Sequence, residues 1–327
     1  MSFALRPSLF SSHISFIRSA VTSFGKGIYH QHRSISLQSY VVTPKELNEA
    51  LKKNVRTKIS TSPRVIALCA AWFMPNDPEG RKGIDVFKQK RIPDARFFDL
   101  DEVSDCTSPY PHMLPSKERF AEAMQSLGIR SDDELVVYDT EELGLFSAPR
   151  VGWTLRYFGH PNVHILNNFR LWVREGYPVE TGEPNIDDAP STYQVDDHSP
   201  DMVVQFEELE TLCQNTGKEG SNGVQILDAR SEGRWAGREK EPRPELSSGH
   251  MPGSLNLPFG IFLDPETKAL LPPQELRRVL EEKHVDPTRS LISSCGSGVS
   301  AAIIDLALEQ AEYVSANNKR LYDGSWT

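Results

Sequence analysis

Short apolar runs and amphipathic stretches alternate along most of this chain, in an order that occurs twice. Residues 135–139 (LVVYD) read as a buried strand, and residues 291–295 (LISSC) read the same way. Each follows a helical stretch, residues 118–127 in one case and 274–282 in the other, and each stretch follows a proline-ended run, Met113-Leu114-Pro115 or Leu270-Leu271-Pro272. Upstream, residues 91–95 (RIPDA) lead into 97–100 (FFDL), as residues 250–254 (HMPGS) lead into 255–259 (LNLPF). Downstream, after a loop and an apolar helix, residues 164–168 (HILNN) match 319–323 (KRLYD). The chain is therefore an internal repeat. Short strands alternating with helices predict an α/β fold of two tandem units, each a parallel sheet flanked by helices. The first unit is expected over residues 40–179 and the second over 202–327. Residues 180–201, rich in Pro, Asp, Ser and Thr, are expected to link them and are long enough to wrap across one unit.

In sheets of this kind the working groups lie at the carboxyl ends of the strands. That position holds Asp139 in the first copy and Cys295 in the second. Cys295 opens the stretch Cys295-Gly296-Ser297-Gly298-Val299-Ser300-Ala301, which runs into an apolar helix through Ala302, Ile303, Leu306 and Ala307. The glycines let the backbone curl so that N–H groups point inward, and the helix start adds positive potential. Such a loop favours a thiolate. A core cysteine beside a glycine turn is the plainer alternative. Residues 139–149 contain no second nucleophile, so one working thiol is expected in the chain.

The remaining composition narrows the class. Of 327 residues 38% are hydrophobic and 25% charged, with a net charge of −9. An acidic balance offers no footprint for nucleic acid, and no apolar stretch approaches the roughly 18 residues of a membrane span. Cys69, Cys106, Cys213 and Cys295 are far apart and form no C-x-x-C pair, which argues against a zinc site and a disulfide framework. No metal or cofactor is expected. Cys69 lies on an apolar run and reads as core, Cys106 sits in a polar loop, and Cys213 falls on a helix face. Residues 1–39 contain Arg6, Arg18, Lys26 and Arg33, many serines and no acid, since the first acidic residue is Glu46. Arg-rich, Ser-rich and acid-poor is the composition of a mitochondrial presequence. Phe10, Ile14, Phe16 and Ile17 suit one face of a short amphipathic helix. A mitochondrial location is expected, or a cytoplasmic one if this segment is skipped.

Several stretches carry a resemblance: residues 97–115 (FFDLDEVSDCTSPYPHMLP), 228–234 (DARSEGR), 248–259 (SGHMPGSLNLPF), 295–301 (CGSGVSA) and 321–326 (LYDGSW). In this order they resemble the two-domain rhodanese superfamily, and most of all the eukaryotic 3-mercaptopyruvate and thiosulfate/mercaptopyruvate sulfurtransferases, over residues 40–326. The resemblance implies that Cys295 takes sulfur from a donor as a persulfide and passes it to a thiol or to cyanide. Gly296, Gly298, Val299 and Ser300 would line its loop. Arg234 and Arg243, in a GR-x7-PR spacing, match the family's substrate-binding arginines, and guanidinium groups suit a carboxylate-bearing donor. Taken alone, each would read as a solvated charge. Ser297, His112 and Asp101 match a proton relay that crosses between the two units; by itself His112 reads equally as a loop histidine packing the interface. Asp228 is expected to satisfy backbone or an arginine.

Thiosulfate-preferring relatives carry basic residues just after the cysteine, which suits a dianion. Gly296 and Ser297 are neutral, so the resemblance implies a preference for 3-mercaptopyruvate, with pyruvate as product. The acceptors it implies are thiols such as thioredoxin, with an E1-like activating protein of tRNA thiolation as a further partner. Position 300 is Ser where relatives have Thr, and either residue is expected to cap the following helix. The chain ends at Thr327, just after Asp-Gly-Ser-Trp, where relatives continue; a weaker closing contact is the expectation. A cysteine phosphatase would need Arg six positions after the cysteine, where this chain has Ala301. A non-catalytic rhodanese-like scaffold is the alternative from another functional class.

Overall fold

The run Glu134–Tyr138 is buried along its whole length, as a strand must be when helices cover both faces of its sheet. A computed structural model describes residues 37–55, 62–185, 192–195, 198–215, 223–243 and 245–326. The expected presequence lies outside the described residues except for 37–39, and part of the expected linker lies outside them too.

The first repeat runs β1 (Val41–Val42), α1 (Pro44–Leu51), β2 (Val65–Cys69), α2 (Gly83–Gln89), β3 (Arg96–Phe97), α3 (Lys117–Ser126), β4 (Glu134–Tyr138), α4 (Ala148–Tyr157), β5 (Val163–Leu166) and α5 (Phe169–Arg174). The second runs β6 (Val203–Val204), α6 (Phe206–Gln214), β7 (Val224–Asp228), α7 (Glu232–Trp235), β8 (Leu255–Asn256), α8 (Pro273–Glu282), β9 (Ser290–Ser294), α9 (Ala301–Gln310) and β10 (Lys319–Tyr322). The sheet orders are β1-β5-β4-β2-β3 and β6-β10-β9-β7-β8, with every pair parallel, so the two repeats share one topology. Local chemistry sets the helix starts. Thr43 and Glu46 form a capping box ahead of Pro44, and Ser116 accepts from the Arg119 N–H.

The helices that follow β4 and β9 are apolar nearly all round because they pack on each other as well as on their sheets. Ala148 to Leu155 in α4 and Ala301 to Leu308 in α9 are buried. One hydrophobic core consequently runs through both repeats, from Phe120 and Trp153 to Ile303 and Leu276. A shared apolar interface of this kind holds two units in one orientation.

Polar ties cross the same boundary. The Arg150 guanidinium is almost fully buried; its Nη2 donates to Asp323 Oδ1 at 2.5 Å and to the His112 carbonyl at 2.7 Å. Asp323 Oδ2 accepts from the Leu114 N–H at 2.7 Å. Arg156 pairs with Glu309 at 2.9 Å, and Asn167 Oδ1 accepts from the Leu270 N–H at 2.7 Å. Within the expected linker, Tyr193 is buried beside Phe120 and its hydroxyl lies 2.7 Å from His160 Nδ1. The remaining nitrogen of His160 meets the Asp133 carbonyl at 2.9 Å, and burial holds the imidazole pKa below its ordinary value.

Two outcomes follow. Arg150→Met leaves the Asp323 carboxylate buried without its partner, so urea unfolding should show a loss of about 3–5 kcal/mol. The unfolded chain binds a proton at His160 near pH ~6.5 while the folded protein resists it, so stability should fall as pH drops below that value. Urea titrations between neutral and mildly acidic pH should show this slope, and His160→Gln should flatten it.

Candidate active site

Strand β9 carries the chain inside and delivers Cys295 at its carboxyl end with only 2% of its surface exposed. The loop then turns through Gly298, whose φ of +76° belongs to glycine. A Cβ there would also lie 2.8 Å from Arg150 Nη1 and 3.1 Å from the Asp323 carbonyl oxygen. Among the described residues, the N–H groups of Gly296, Ser297, Val299, Ser300 and Ala301 find no acceptor within the protein. Five such donors at the start of a helix form an anion-binding concavity.

The Ser300 side chain makes no capping bond, against expectation. Ser300 already has helical backbone (φ −73°, ψ −15°), so its hydroxyl is not aimed back at the first turn. Ser325, unsuspected from the sequence, is the residue that pins the loop. Its Oγ accepts from the N–H groups of Cys295 at 3.1 Å and Gly298 at 2.9 Å and lies 3.8 Å from Cys295 Sγ. The Trp326 N–H closes the floor by donating to the Cys295 carbonyl at 3.1 Å. The one available signal was the quoted stretch 321–326, which follows β10 as the cysteine loop follows β9.

The structure brings Asp101, His112 and Ser297 into one line. His112 Nδ1 lies 3.1 Å from Ser297 Oγ, and Nε2 lies 2.9 Å from Asp101 Oδ1. The hydrogen bond from His112 holds the Asp101 carboxyl below the usual carboxylate range, so at neutral pH it only accepts. Nε2 therefore carries the proton, and in the neutral ring Nδ1 is left to accept from the Ser297 hydroxyl. His112 is held at φ +61°, uncommon for a residue with a side chain. Trp72 also belongs here, although nothing in its local pattern marked it. Its Nε1–H donates to Asp101 Oδ1 at 3.1 Å, and its ring meets His112 edge-on at 4.6 Å between centroids.

A cleft of about 140 Å³ opens over the cysteine loop. Drug-sized ligands occupy roughly 300–1,000 Å³, so this space suits a small molecule. Trp72, Phe146 and Phe259 contribute apolar lining to it, and Arg234 and Arg243 contribute charged lining. Arg234 lies so near the loop that a Cβ on Gly296 would come within 2.9 Å of its Nη2. Arg234 is paired with Glu241 at 2.5 Å. Arg243 has no ion pair or hydrogen-bond partner for its guanidinium among the described residues, and burial lowers its pKa. Asp228 binds Arg230 at 2.6 Å and stands outside the reacting group, as expected.

The first repeat shows what the same loop does without a thiol. Asp139 Oδ2 accepts from the N–H groups of Phe146 at 2.7 Å and Ala148 at 2.9 Å, and Oδ1 from the Ser147 hydroxyl at 2.6 Å. Its own carboxylate fills the concavity, although burial pushes its pKa up. The other cysteines do not line this cleft. Cys69 is buried in the first core, Cys106 is exposed beside Arg119, and Cys213 is half-buried on α6.

Comparison with known proteins agrees with this geometry. The family description "Rhodanese-like domain" matches residues 212–327. The chain is 42% identical over 274 residues to thiosulfate sulfurtransferase TUM1 of Saccharomyces cerevisiae, covering 81% of this chain and 88% of that protein. It is 39% identical over 261 residues to 3-mercaptopyruvate sulfurtransferase of Mus musculus, covering 79% and 82% respectively. It superposes on the sulfur transferase subunit of yeast mitochondrial complex I with a TM-score of 0.77 at 36% identity, covering 88% of this chain and 95% of that one. Two parallel sheets of one topology, a cysteine in an anion-binding loop and relatives of this similarity lead to one conclusion: the chain belongs to the rhodanese family of two-domain sulfurtransferases.

Proposed function

We propose that this chain moves a sulfur atom from 3-mercaptopyruvate, and less well from thiosulfate, through a persulfide on Cys295 to a thiol or to cyanide. The observation that carries the reading is the line Asp101–His112–Ser297, which starts in one repeat and ends two residues past Cys295 in the other. The Cys295 thiolate attacks the donor sulfur. As the new S–S bond forms the C–S bond breaks, and the electron pair left on carbon is delocalised into the 2-oxo group as an enolate. The donor's thiol proton travels by Ser297 and His112 to that carbon, and pyruvate leaves. The free loop N–H groups suit the persulfide anion. An acceptor thiolate then attacks the outer sulfur, carries it away as its own persulfide and returns the Cys295 thiolate; cyanide leaves as thiocyanate.

Arg234 and Arg243 supply the cationic side on which a donor carboxylate binds, with Gly296, Gly298, Val299 and Ser300 shaping the loop. Neutral Gly296 and Ser297 favour a donor with a single charge. The names of the relatives support both donors. Thioredoxin-like thiols are proposed as acceptors and an E1-like tRNA-thiolation protein as a further partner. The acid-poor N-terminal segment, together with the mitochondrial relative, supports a mitochondrial location.

Purified protein should release pyruvate from 3-mercaptopyruvate faster than it turns over thiosulfate. Intact-mass analysis should show one added sulfur, and Cys295→Ser should abolish both signals. Folded wild-type protein no more active than the variant would sink the reading, and a much higher thiosulfate rate would reverse the donor order. His112→Asn should lower kcat for 3-mercaptopyruvate by about 10²–10⁴-fold and leave KM within a few-fold.

A further inference from the structure

Arg234 reaches the cleft already neutralised. Glu241 Oε2 accepts from its Nε at 3.1 Å and its Nη2 at 2.5 Å, while Oε1 accepts from Arg230 Nη1 at 2.9 Å. Arg230 in turn is forked onto Asp228, with Nη2 at 2.6 Å from Oδ2. The Glu241 side chain is 1% exposed, as is that of Arg230, so water does little to screen this row. Its signs alternate from Asp228 to Arg234 and cancel. Arg243 remains as the cation with no direct partner among the described residues. Asp101, Glu245 and Arg234 lie within electrostatic reach of it, but Asp101 is engaged by His112 and Trp72. The cleft therefore offers a ligand one positive charge without a hydrogen-bonded partner among the described residues, beside a cysteine that must itself be anionic to react.

We propose that Glu241 is a specificity-determining residue: by cancelling the charge of Arg234, it matches the cleft to a singly charged 2-oxo acid and against a dianion. The inference rests on the sulfur-transfer reading of the Cys295 site. A potential acts once on the carboxylate of 3-mercaptopyruvate and twice on thiosulfate. Each unit of negative charge beside the ligand thus penalises thiosulfate more, and Glu241 supplies one such unit in a site of low effective dielectric.

The test is the ratio of kcat/KM for thiosulfate to that for 3-mercaptopyruvate, measured on the full chain. A loss of folded protein lowers both values equally and leaves the ratio intact. Glu241→Gln should raise the ratio by about tenfold or more, whereas Glu241→Asp, which keeps the charge, should stay near the wild-type ratio. Arg234→Gln, on a more exposed side chain, should move the ratio in the opposite direction and serves if the Gln variant does not fold. An unchanged ratio in Glu241→Gln, or in Arg234→Gln where that must serve, overturns the proposal. So does a Glu241→Asp ratio that moves as far as that of Glu241→Gln. A wild type inactive on both donors would instead refute the sulfur-transfer reading itself.

Discussion

A cluster of backbone N–H groups that needs an acceptor at the carboxyl end of a buried parallel strand is what the rest of this molecule is arranged around. Strand, loop and helix leave several backbone N–H groups without acceptors, and burial makes each unmet donor costly. The first repeat meets the demand with the Asp139 carboxyl group, which takes three N–H groups and a hydroxyl. In the second repeat the same place is held by Cys295, whose sulfur takes none of the loop N–H groups, so these donors stay available. One loop is closed by its own side chain. The other keeps its N–H groups open toward the cleft.

That difference would achieve little without the contact between the repeats. The helices α4 and α9 follow the two loops and bury apolar faces against each other, so the loops are fixed relative to one another. The same contact lets the first repeat lend His112 and Asp101 to the second. Arg150 and Asp323 hold the His112 and Leu114 backbones against the segment that also contains Ser325. Two residues of the site, His112 and Ser325, sit at positive φ, which costs on the order of 1–3 kcal/mol apiece. Such backbone persists because the shared core and the buried Arg150–Asp323 pair leave it no alternative.

Much of the fold was legible in advance. The repeat, the parallel α/β architecture and the strands at 134–138 and 290–294 follow from apolar runs whose period and spacing depend on neighbouring residues alone. Residue types and motif order named Cys295, Ser297, His112, Asp101, Arg234 and Arg243, and all six come together around one cleft or in the hydrogen-bonded line that adjoins it. Trp72 and Ser325 escaped because their partners lie in other strands and loops, and no local pattern distinguishes a tryptophan that donates to Asp101 from one that only packs. The Ser300 expectation failed for a related reason: its side chain suits a cap, but the turn through Gly298 had already set its backbone.

The sequence by itself determined that the chain is a tandem repeat with a cysteine in a glycine loop between a strand and an apolar helix, because short-range periodicity and composition suffice for that. Only the tertiary structure decided the state of charge around that cysteine. Arg234 and Arg243 look alike as residues in a polar loop, yet one is cancelled by Glu241 and the other is left without a direct partner. Asp139 reads as a lost nucleophile and proves to be the acceptor that closes its own loop. Charge acts through distance and burial, and those exist only after the chain has folded.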